Sequence, residues 1–271
     1  LEGWFTIKKK NASTGEEVVV TKFKNLILDN GLNGIGTNGT SWVSNVYLST
    51  GTSTPSVSDT SMQVTGSAIS KGSPSSSSTT QNTTLPYWTS VIWSYTFAQG
   101  AATGNWTEVG IGPTVSNLWS RELIRSPSGS PITLTVLAID ILTIEYELRV
   151  YYNENDVTGT INISGSNYDY IIRPYALRNN AASHMVSGSW MSSASSYSGS
   201  CAVWNGALNQ AYTAPGGTDN TNSVSSMSVA PYVSASYTKV CTFNYGITCA
   251  NLSGGITVVA PFAQGDANNG G

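Results

Sequence analysis

The stretch that decides the fold is Ile141-Leu142-Thr143-Ile144-Glu145-Tyr146-Glu147-Leu148-Arg149-Val150-Tyr151. Its side chains alternate between an apolar set, Leu142, Ile144, Tyr146 and Leu148, and a polar set, Thr143, Glu145, Glu147 and Arg149. A period of two places the two sets on opposite faces of a β-strand. The stretch therefore predicts a half-buried strand, and it indicates an all-β protein.

Strand-like patterns recur on both sides of this stretch. The predicted strands cover 4–10, 17–24, 42–48, 87–97, 106–111, 118–124 and 132–152, and then 157–163, 168–175, 226–244 and 255–262. Residues 25–32 are the best helix candidate, and this helix would be short. Residues 49–86 are rich in Ser, Thr and Pro and predict an exposed loop with one edge strand near 62–64. Residues 177–201 are weakly patterned, and 213–223 predict a second loop.

The polar run Asn153-Glu154-Asn155-Asp156 is typical of a turn and indicates a boundary between two units. We expect two β-sandwich-like domains, 1–152 and 153–271, with long loops and at most one short helix. Tyr95-Thr96-Phe97 matches Cys241-Thr242-Phe243 at an offset of 146 residues. This match fits either a duplicated module or chance in a Gly-rich chain.

The composition excludes several classes of protein. Only 10% of the 271 residues are charged, against about 25% in an ordinary soluble protein. The net charge is −3 with 12 Lys and Arg residues, so we expect no nucleic-acid partner. No run of about 18 apolar residues occurs, so we expect no membrane insertion. No charged-then-apolar leader is visible, and we expect no signal peptide in this sequence.

Residues suited to catalysis or metal binding are few. His184 is the single histidine, and it lies in no nucleophile motif, so a surface histidine is the favoured interpretation. The spacing of Cys201, Cys241 and Cys249 is not a zinc pattern, and we expect neither a metal nor a cofactor. Cys241 and Cys249 could pair across a hairpin around Gly246, although free thiols are the default in a reducing cytoplasm.

Two carboxylates form the best candidate pair for hydrolysis. Glu145 and Glu147 share one face of the predicted strand, about 7 Å apart by the strand rise, and glycosidases need two such groups. Beside Arg149 the same pair is typical of a solvated face, so we expect no enzyme.

The aromatic residues fall into two groups. Trp88, Trp93, Trp106 and Trp119 lie in or beside predicted strands and indicate packing in a core. The second group lies among Ser, Gly and Asn: Trp190, Tyr197, Trp204 and Tyr212. These four are candidates for contact with a sugar or a partner protein, and the core of a second domain is the other interpretation.

Four blocks in order resemble a family of bacteriophage minor structural proteins that are often described as tail-fibre-like. The blocks are Phe23–Leu32 (FKNLILDNGL), Leu48–Thr60 (LSTGTSTPSVSDT), Glu108–Gly112 (EVGIG) with Leu118–Ile124 (LWSRELI), and Leu134–Tyr151. Asp156–Ile161 (DVTGTI) follows in the family order. The resemblance covers about residues 1–175, and it is weak beyond them.

The resemblance implies a structural component of a tailed-phage virion, associated with the tail or tail fibre, without a cofactor or catalytic residues. Residues 1–152 would serve assembly, and 153–271 would contact another subunit or a host receptor. The expected partners are copies of itself, other virion proteins and a host surface glycan or receptor, and the expected location is the virion, assembled in the bacterial cytoplasm. A secreted carbohydrate-binding or adhesin module and a polysaccharide depolymerase remain as alternatives.

Overall fold

The computed structural model describes residues 1–35, 42–82, 84–151, 155–172, 201–204, 219–220, 224–231, 233–236, 240–245 and 258–261. Over these ranges the chain is mainly β-structure with a single short helix, which confirms the all-β prediction. The elements up to residue 172 are β1 (Glu2–Asn11), β2 (Glu17–Ile27), α1 (Asp29–Ile35), β3 (Asn45–Ser49), β4 (Ile69–Gly72), β5 (Ser76–Asn82), β6 (Trp88–Phe97), β7 (Gly104–Trp106), β8 (Glu108–Gly112), β9 (Ser120–Leu123), β10 (Leu134–Val136), β11 (Asp140–Tyr151), β12 (Val157–Ile163) and β13 (Ser166–Ile172). Later strands are β14 (Cys201–Trp204), β15 (Asp219–Asn220), β16 (Val224–Val229), β17 (Cys241–Tyr245) and β18 (Val258–Pro261).

Nine of these strands form one antiparallel sheet in the order β4-β3-β8-β9-β2-β1-β11-β6-β5. The long strand β11 lies third from the β5 edge, and it pairs with β1 on one side and with β6 on the other. The alternation in β11 appears directly in its burial, because Leu142, Ile144, Tyr146 and Leu148 are fully buried. The strand that the sequence pattern predicts most clearly is therefore an inner strand of the sheet, with a partner on each side.

The two edge strands of this sheet, β4 and β5, are neighbours in the chain. Only Ser73, Pro74 and Ser75 separate them, so the span from Gly72 to Ser76 is at most about 15 Å. A flat sheet of nine strands is about 38 Å wide at the usual strand spacing. The sheet must therefore curl until its two edges approach each other.

The three linking residues, Ser73, Pro74 and Ser75, continue the backbone hydrogen bonding at both edges of the sheet. The amide of Ser73 donates to the carbonyl of Ser44 at 2.8 Å beside β3, and the amide of Ser75 donates to the carbonyl of Ser94 at 2.7 Å in β6. Pro74 lies between them, where a residue without an N–H leaves no ladder hydrogen bond unmade. The chain passes from one edge to the other within these three residues.

Curling brings the inner faces of the sheet together around one core. The buried apolar residues of β1, β2, β6 and β11 and those of β3 and β8 belong to one continuous hydrophobic cluster. Polar groups cross this core in pairs: the indole Nε1 of Trp119 donates to the hydroxyl of Tyr146 at 2.6 Å, and the hydroxyl of Tyr95 donates to the carbonyl of Val43. Trp93, Trp106 and Trp119 are buried, as the sequence predicts, whereas Trp88 is half-buried.

The prediction of an exposed loop over 49–86 with a strand near 62–64 is wrong in two respects. The edge strands lie later, at β4 and β5, and Met62 is 1% exposed rather than part of an edge. Met62 packs with Leu28, Tyr47 and Leu118 in a second apolar cluster. The segment 50–68 therefore covers the outer face of β3, β8 and β9, and this explains why every residue of β8 is buried.

Several predicted boundaries also differ from the structure. The helix candidate 25–32 is divided, because β2 continues to Ile27 and α1 begins at Asp29. The predicted strand 132–152 is two strands, β10 and β11, separated by a turn. The predicted strand 106–111 is likewise divided between β7 and β8. At seven residues, α1 is too short to span a bilayer, and it is the longest helix of the described ranges.

Beyond Tyr151 the described strands form separate small sheets. β12 and β13 pair as the predicted hairpin with its turn at Ser164 and Gly165. β14 pairs with β15 and β18, and β16 pairs with β17. The predicted strand 226–244 therefore consists of two strands, and the second predicted loop contains β15. The division into domains 1–152 and 153–271 remains a prediction, as does the proposed duplication.

We expect Tyr146→Phe to lower the free energy of unfolding by about 1–3 kcal/mol, because the buried N–H of Trp119 loses its acceptor. Urea denaturation followed by tryptophan fluorescence measures this loss. The control is Tyr151→Phe, which removes a hydroxyl that bonds Glu2 on the outer face and should change stability by less than about 0.5 kcal/mol. Equal losses in the two variants would contradict the role given to the cross-core hydrogen bond.

Candidate functional site

A buried ion pair lies beneath the covering segment 50–68. Glu108 in β8 and Arg121 in β9 belong to neighbouring strands, and Nε of Arg121 lies 2.8 Å from Oε1 of Glu108. The two side chains are 0% and 4% exposed. A buried charge is strongly unfavourable without compensating partners, so the surroundings of this pair are constrained.

Glu108 receives those partners from the last residue of β3 and from the covering segment. Its carboxylate accepts hydrogen bonds from the hydroxyl of Ser49 and from the amide of Gln63, at 3.1 and 3.2 Å to its two oxygens. Gly51 lies so close that a Cβ there would overlap Oε2 of Glu108. The glycine is therefore required by close approach, and the carboxylate fixes both ends of the segment that runs from residue 49 to 63.

Arg121 holds the middle of the same segment. Its Nη1 lies 2.7 Å from Oδ2 of Asp59, and its Nη2 donates to the carbonyl of Ser53 at 3.1 Å. The side-chain oxygen of Gln63 accepts from the amides of Thr52 and Ser53 at 2.5 and 2.7 Å. Charge-assisted bonds from one guanidinium therefore order a segment that has few apolar anchors of its own.

The outer face of β2, β1 and β11 carries a second set of charges. Lys8 lies 2.6 Å from Glu145, and Glu147 lies 3.2 Å from Lys22 and 2.6 Å from Arg149. Glu145 and Glu147 therefore share the outer face, and each is paired with a cation. Both carboxylates are ion-paired, but Glu147 is only 6% exposed, so it is covered by its partners and the predicted solvated face is wrong for this residue.

The pKa of Glu147 moves in the direction opposite to that of a general acid. Burial alone would raise this pKa, but hydrogen bonds from Arg149 and Lys22 lower it below the ordinary value. A glycosidase acid needs a raised pKa so that it carries its proton at working pH. The environment of Glu147 therefore favours a structural role for this carboxylate.

Aromatic rings flank the same charges. The guanidinium of Arg149 lies 5.6 Å from the ring of Trp4 and 4.8 Å from the ring of Trp88. Lys22 and Lys24 lie 5.7 and 5.1 Å from the ring of Trp4. These distances suit cation–π contacts. The half-buried rings of Trp4 and Trp88 therefore already contact cations of the protein itself.

The four aromatic residues predicted to make contacts have no described side chains. Trp190, Tyr197 and Tyr212 lie outside the described residues, as do His184 and Cys249. Trp204 ends β14 and Cys241 begins β17, but the structure describes only their backbone. Within the described ranges, no three His, Cys, Asp or Glu side chains are grouped so that they could hold a metal ion.

The pairing of Glu108 with Arg121 is not predicted from the sequence. The sequence does carry a signal of buried charge, because Glu108 and Arg121 each belong to a short, mainly apolar run, EVGIG and LWSRELI. A charge in a strand that is buried on both faces needs a buried partner. The pairing of β8 with β9 supplies that partner, and neither run indicates it alone.

Comparisons of the chain with family models, with curated proteins and with solved structures found no match.

We expect Glu108→Gln to lower the free energy of unfolding by about 3–5 kcal/mol, because it leaves the buried Arg121 uncompensated. Hydrogen exchange should quicken at the amides of Thr52, Ser53 and Gln63, which donate into this site. The control is Glu145→Gln, which breaks a more exposed pair with Lys8 and should change stability by at most about 1 kcal/mol. Unchanged exchange at the three amides would contradict the anchoring role.

We also expect the stability to fall in acid through Glu147. A carboxylate whose pKa is lower in the folded state adds stability at pH values above its unfolded pKa, and this stability is lost as the pH falls through the folded pKa. The ordinary value is 4.5, so the loss begins near pH 5. Denaturant midpoints measured from pH 7 to pH 3 should fall less steeply for Glu147→Gln than for the wild type, and identical slopes would refute the expectation.

Proposed function

We propose that this protein is a structural subunit of a tailed-phage virion, associated with the tail or tail fibre. In this role it assembles with copies of itself and with other virion proteins, and a host surface glycan or receptor is a further partner. Its location would be the virion, after assembly in the bacterial cytoplasm.

The observation that supports the proposal is the meeting of the four resembling blocks in space. Asp59 belongs to Leu48–Thr60, Glu108 to Glu108–Gly112 and Arg121 to Leu118–Ile124, and the three side chains form one ion network. Asp59 precedes Glu108 by 49 positions and Arg121 by 62 in the sequence, and their convergence fits blocks that serve one fold.

The other two blocks meet the same region. The amide of Leu28, in Phe23–Leu32, donates to the carbonyl of Trp119 at 3.0 Å. Tyr146, in Leu134–Tyr151, accepts from the indole of Trp119 at 2.6 Å. Trp119 therefore joins the first block to the last, and the residues that carry the resemblance serve a common fold.

The distribution of charge supports a role in assembly. After Asp156 the sequence holds six charged residues, Asp169, Arg173, Arg178, Asp219, Lys239 and Asp266. Protein interfaces are depleted of charge in their buried core, since charged groups are costly to remove from water. A region of 115 residues with so few charges suits contact with other subunits.

Mass spectrometry of purified phage particles tests this proposal. We expect the chain in particles made by the phage that encodes it, and gold-labelled antibody should mark the tail. Particles from a phage that lacks the gene are the control and should lose both signals.

Two further observations bear on the class of protein. Neighbouring genes should encode tail tube, baseplate or portal proteins. Absence of the chain from washed particles, together with glycan binding by the isolated chain, would refute the proposal in favour of a secreted carbohydrate-binding module.

A further inference from the structure

The hairpin of β12 and β13 has two chemically different faces. In an antiparallel pair, residues directly opposite each other point to the same side. Val157 pairs with Ile172, Gly159 with Tyr170, Ile161 with Tyr168 and Ile163 with Ser166. These pairs form the apolar face of the hairpin, which carries Val157, Ile161, Ile163, Tyr168, Tyr170 and Ile172.

The opposite face is mainly polar and is bonded within itself. Thr160 donates to Asp169 at 2.8 Å, and Asn162 donates to Asn167 at 2.7 Å. Ile171 is the one large apolar residue on this side. The polar side chains of these two pairs therefore bond each other. The two faces differ in that one offers mainly apolar side chains to a neighbour and the other mainly polar ones.

The apolar face of the hairpin is left exposed by the part of the chain that the structure describes. Its six large side chains are 40–59% exposed, although apolar groups of this size usually lie in a core. A two-stranded hairpin is only marginally stable in water without a surface against which to pack. Such a cluster of apolar side chains marks a contact surface rather than a few stray exposed residues.

Gly159 lets the side chain of Tyr170 lie across the apolar face. A Cβ at this position would lie 2.6 Å from the hydroxyl oxygen of Tyr170, so the tyrosine side chain occupies the space above the glycine. An apolar sheet face of this kind suits packing against another sheet face at a separation of about 10 Å.

We propose that the apolar face of the hairpin packs against the same face of a second copy of this chain. Asp169 is the only charged residue in β12 and β13, and it lies on the opposite face, so two copies meet without facing like charges. A two-fold contact uses the same patch on both partners. The contact deepens the proposed function, because it names the surface through which copies associate.

The area suits a dimer. Six large side chains about half exposed offer on the order of 500 Å² per copy, and two copies bury about 1,000 Å² together, near the lower limit for a specific interface. Homodimer interfaces are also more apolar than the average protein surface. The hairpin therefore presents enough apolar area for self-association without a contribution from the large sheet.

Matched substitutions on the two faces test the proposal in the full chain. Ile161→Asp places a charge on the apolar face, and Ile171→Asp places the same charge on the polar face, at positions that are 49% and 53% exposed. Sedimentation equilibrium should give a dissociation constant at least tenfold higher for Ile161→Asp and an unchanged one for Ile171→Asp. Equal effects, or a monomeric wild type, would overturn the proposal.

Cross-linking is a second measurement, and it detects the dimer even when a substitution lowers the affinity between the two copies. Ile161→Cys should form a covalent dimer with a short bismaleimide beyond the level given by the native cysteines, whereas Ile171→Cys should not. If the face is instead covered by later residues of the same chain, Ile161→Asp will leave the mass unchanged and destabilise the monomer, which overturns the proposal.

The outcome is separable from that of the proposed function. Particles that contain the chain while Ile161→Asp leaves its mass in solution unchanged would refute only the hairpin contact. Dissociation by Ile161→Asp in a chain absent from particles would refute only the virion role.

Discussion

The three residues Ser73, Pro74 and Ser75 join the two edges of a nine-stranded sheet, and the rest of the structure follows from this covalent constraint. A sheet whose edge strands are consecutive in the chain must curl, and curling makes its inner surface a single enclosed core. Trp119 and Tyr146 can then meet across that core, although they lie in different parts of the sheet. Cross-core hydrogen bonds satisfy the polar atoms of large aromatic residues that would be costly to bury unpaired.

The outer face of β8 and β9 also has to be covered, because it carries Glu108, Gly110 and Arg121 opposite the core residues Val109 and Ile111. The segment 50–68 covers that face with Met62 and supplies polar groups to Glu108 and Arg121. The segment has little apolar surface with which to anchor itself. A buried ion pair therefore performs the task that a hydrophobic contact performs elsewhere, and it does so with directional bonds that specify one loop conformation.

Local patterns in the sequence predict local features well. The alternation in Ile141–Tyr151 predicts β11, and the turn residues Ser164 and Gly165 close the predicted hairpin, because each depends on neighbours in the chain. Strand order is different: β2 pairs with β9, nearly a hundred residues away, and nothing in either strand specifies this. The same limit applies to the buried site, since Glu108, Arg121 and Asp59 become partners only after the sheet has formed. The apolar face of the hairpin could have been found from alternation, because Val157, Ile161 and Ile163 share a period of two with Gly159.

The edge strands of the large sheet limit how copies of the protein can grow into an assembly. β4 has only four residues, and β5, Ser76–Asn82, has no apolar side chain. A long apolar edge is a template on which further chains add strand by strand without end, and these two edges are poor templates of that kind. Polymerisation by strand addition at these two edges is therefore disfavoured, whereas an assembly built on contacts between faces, as proposed above, could close on itself and stop.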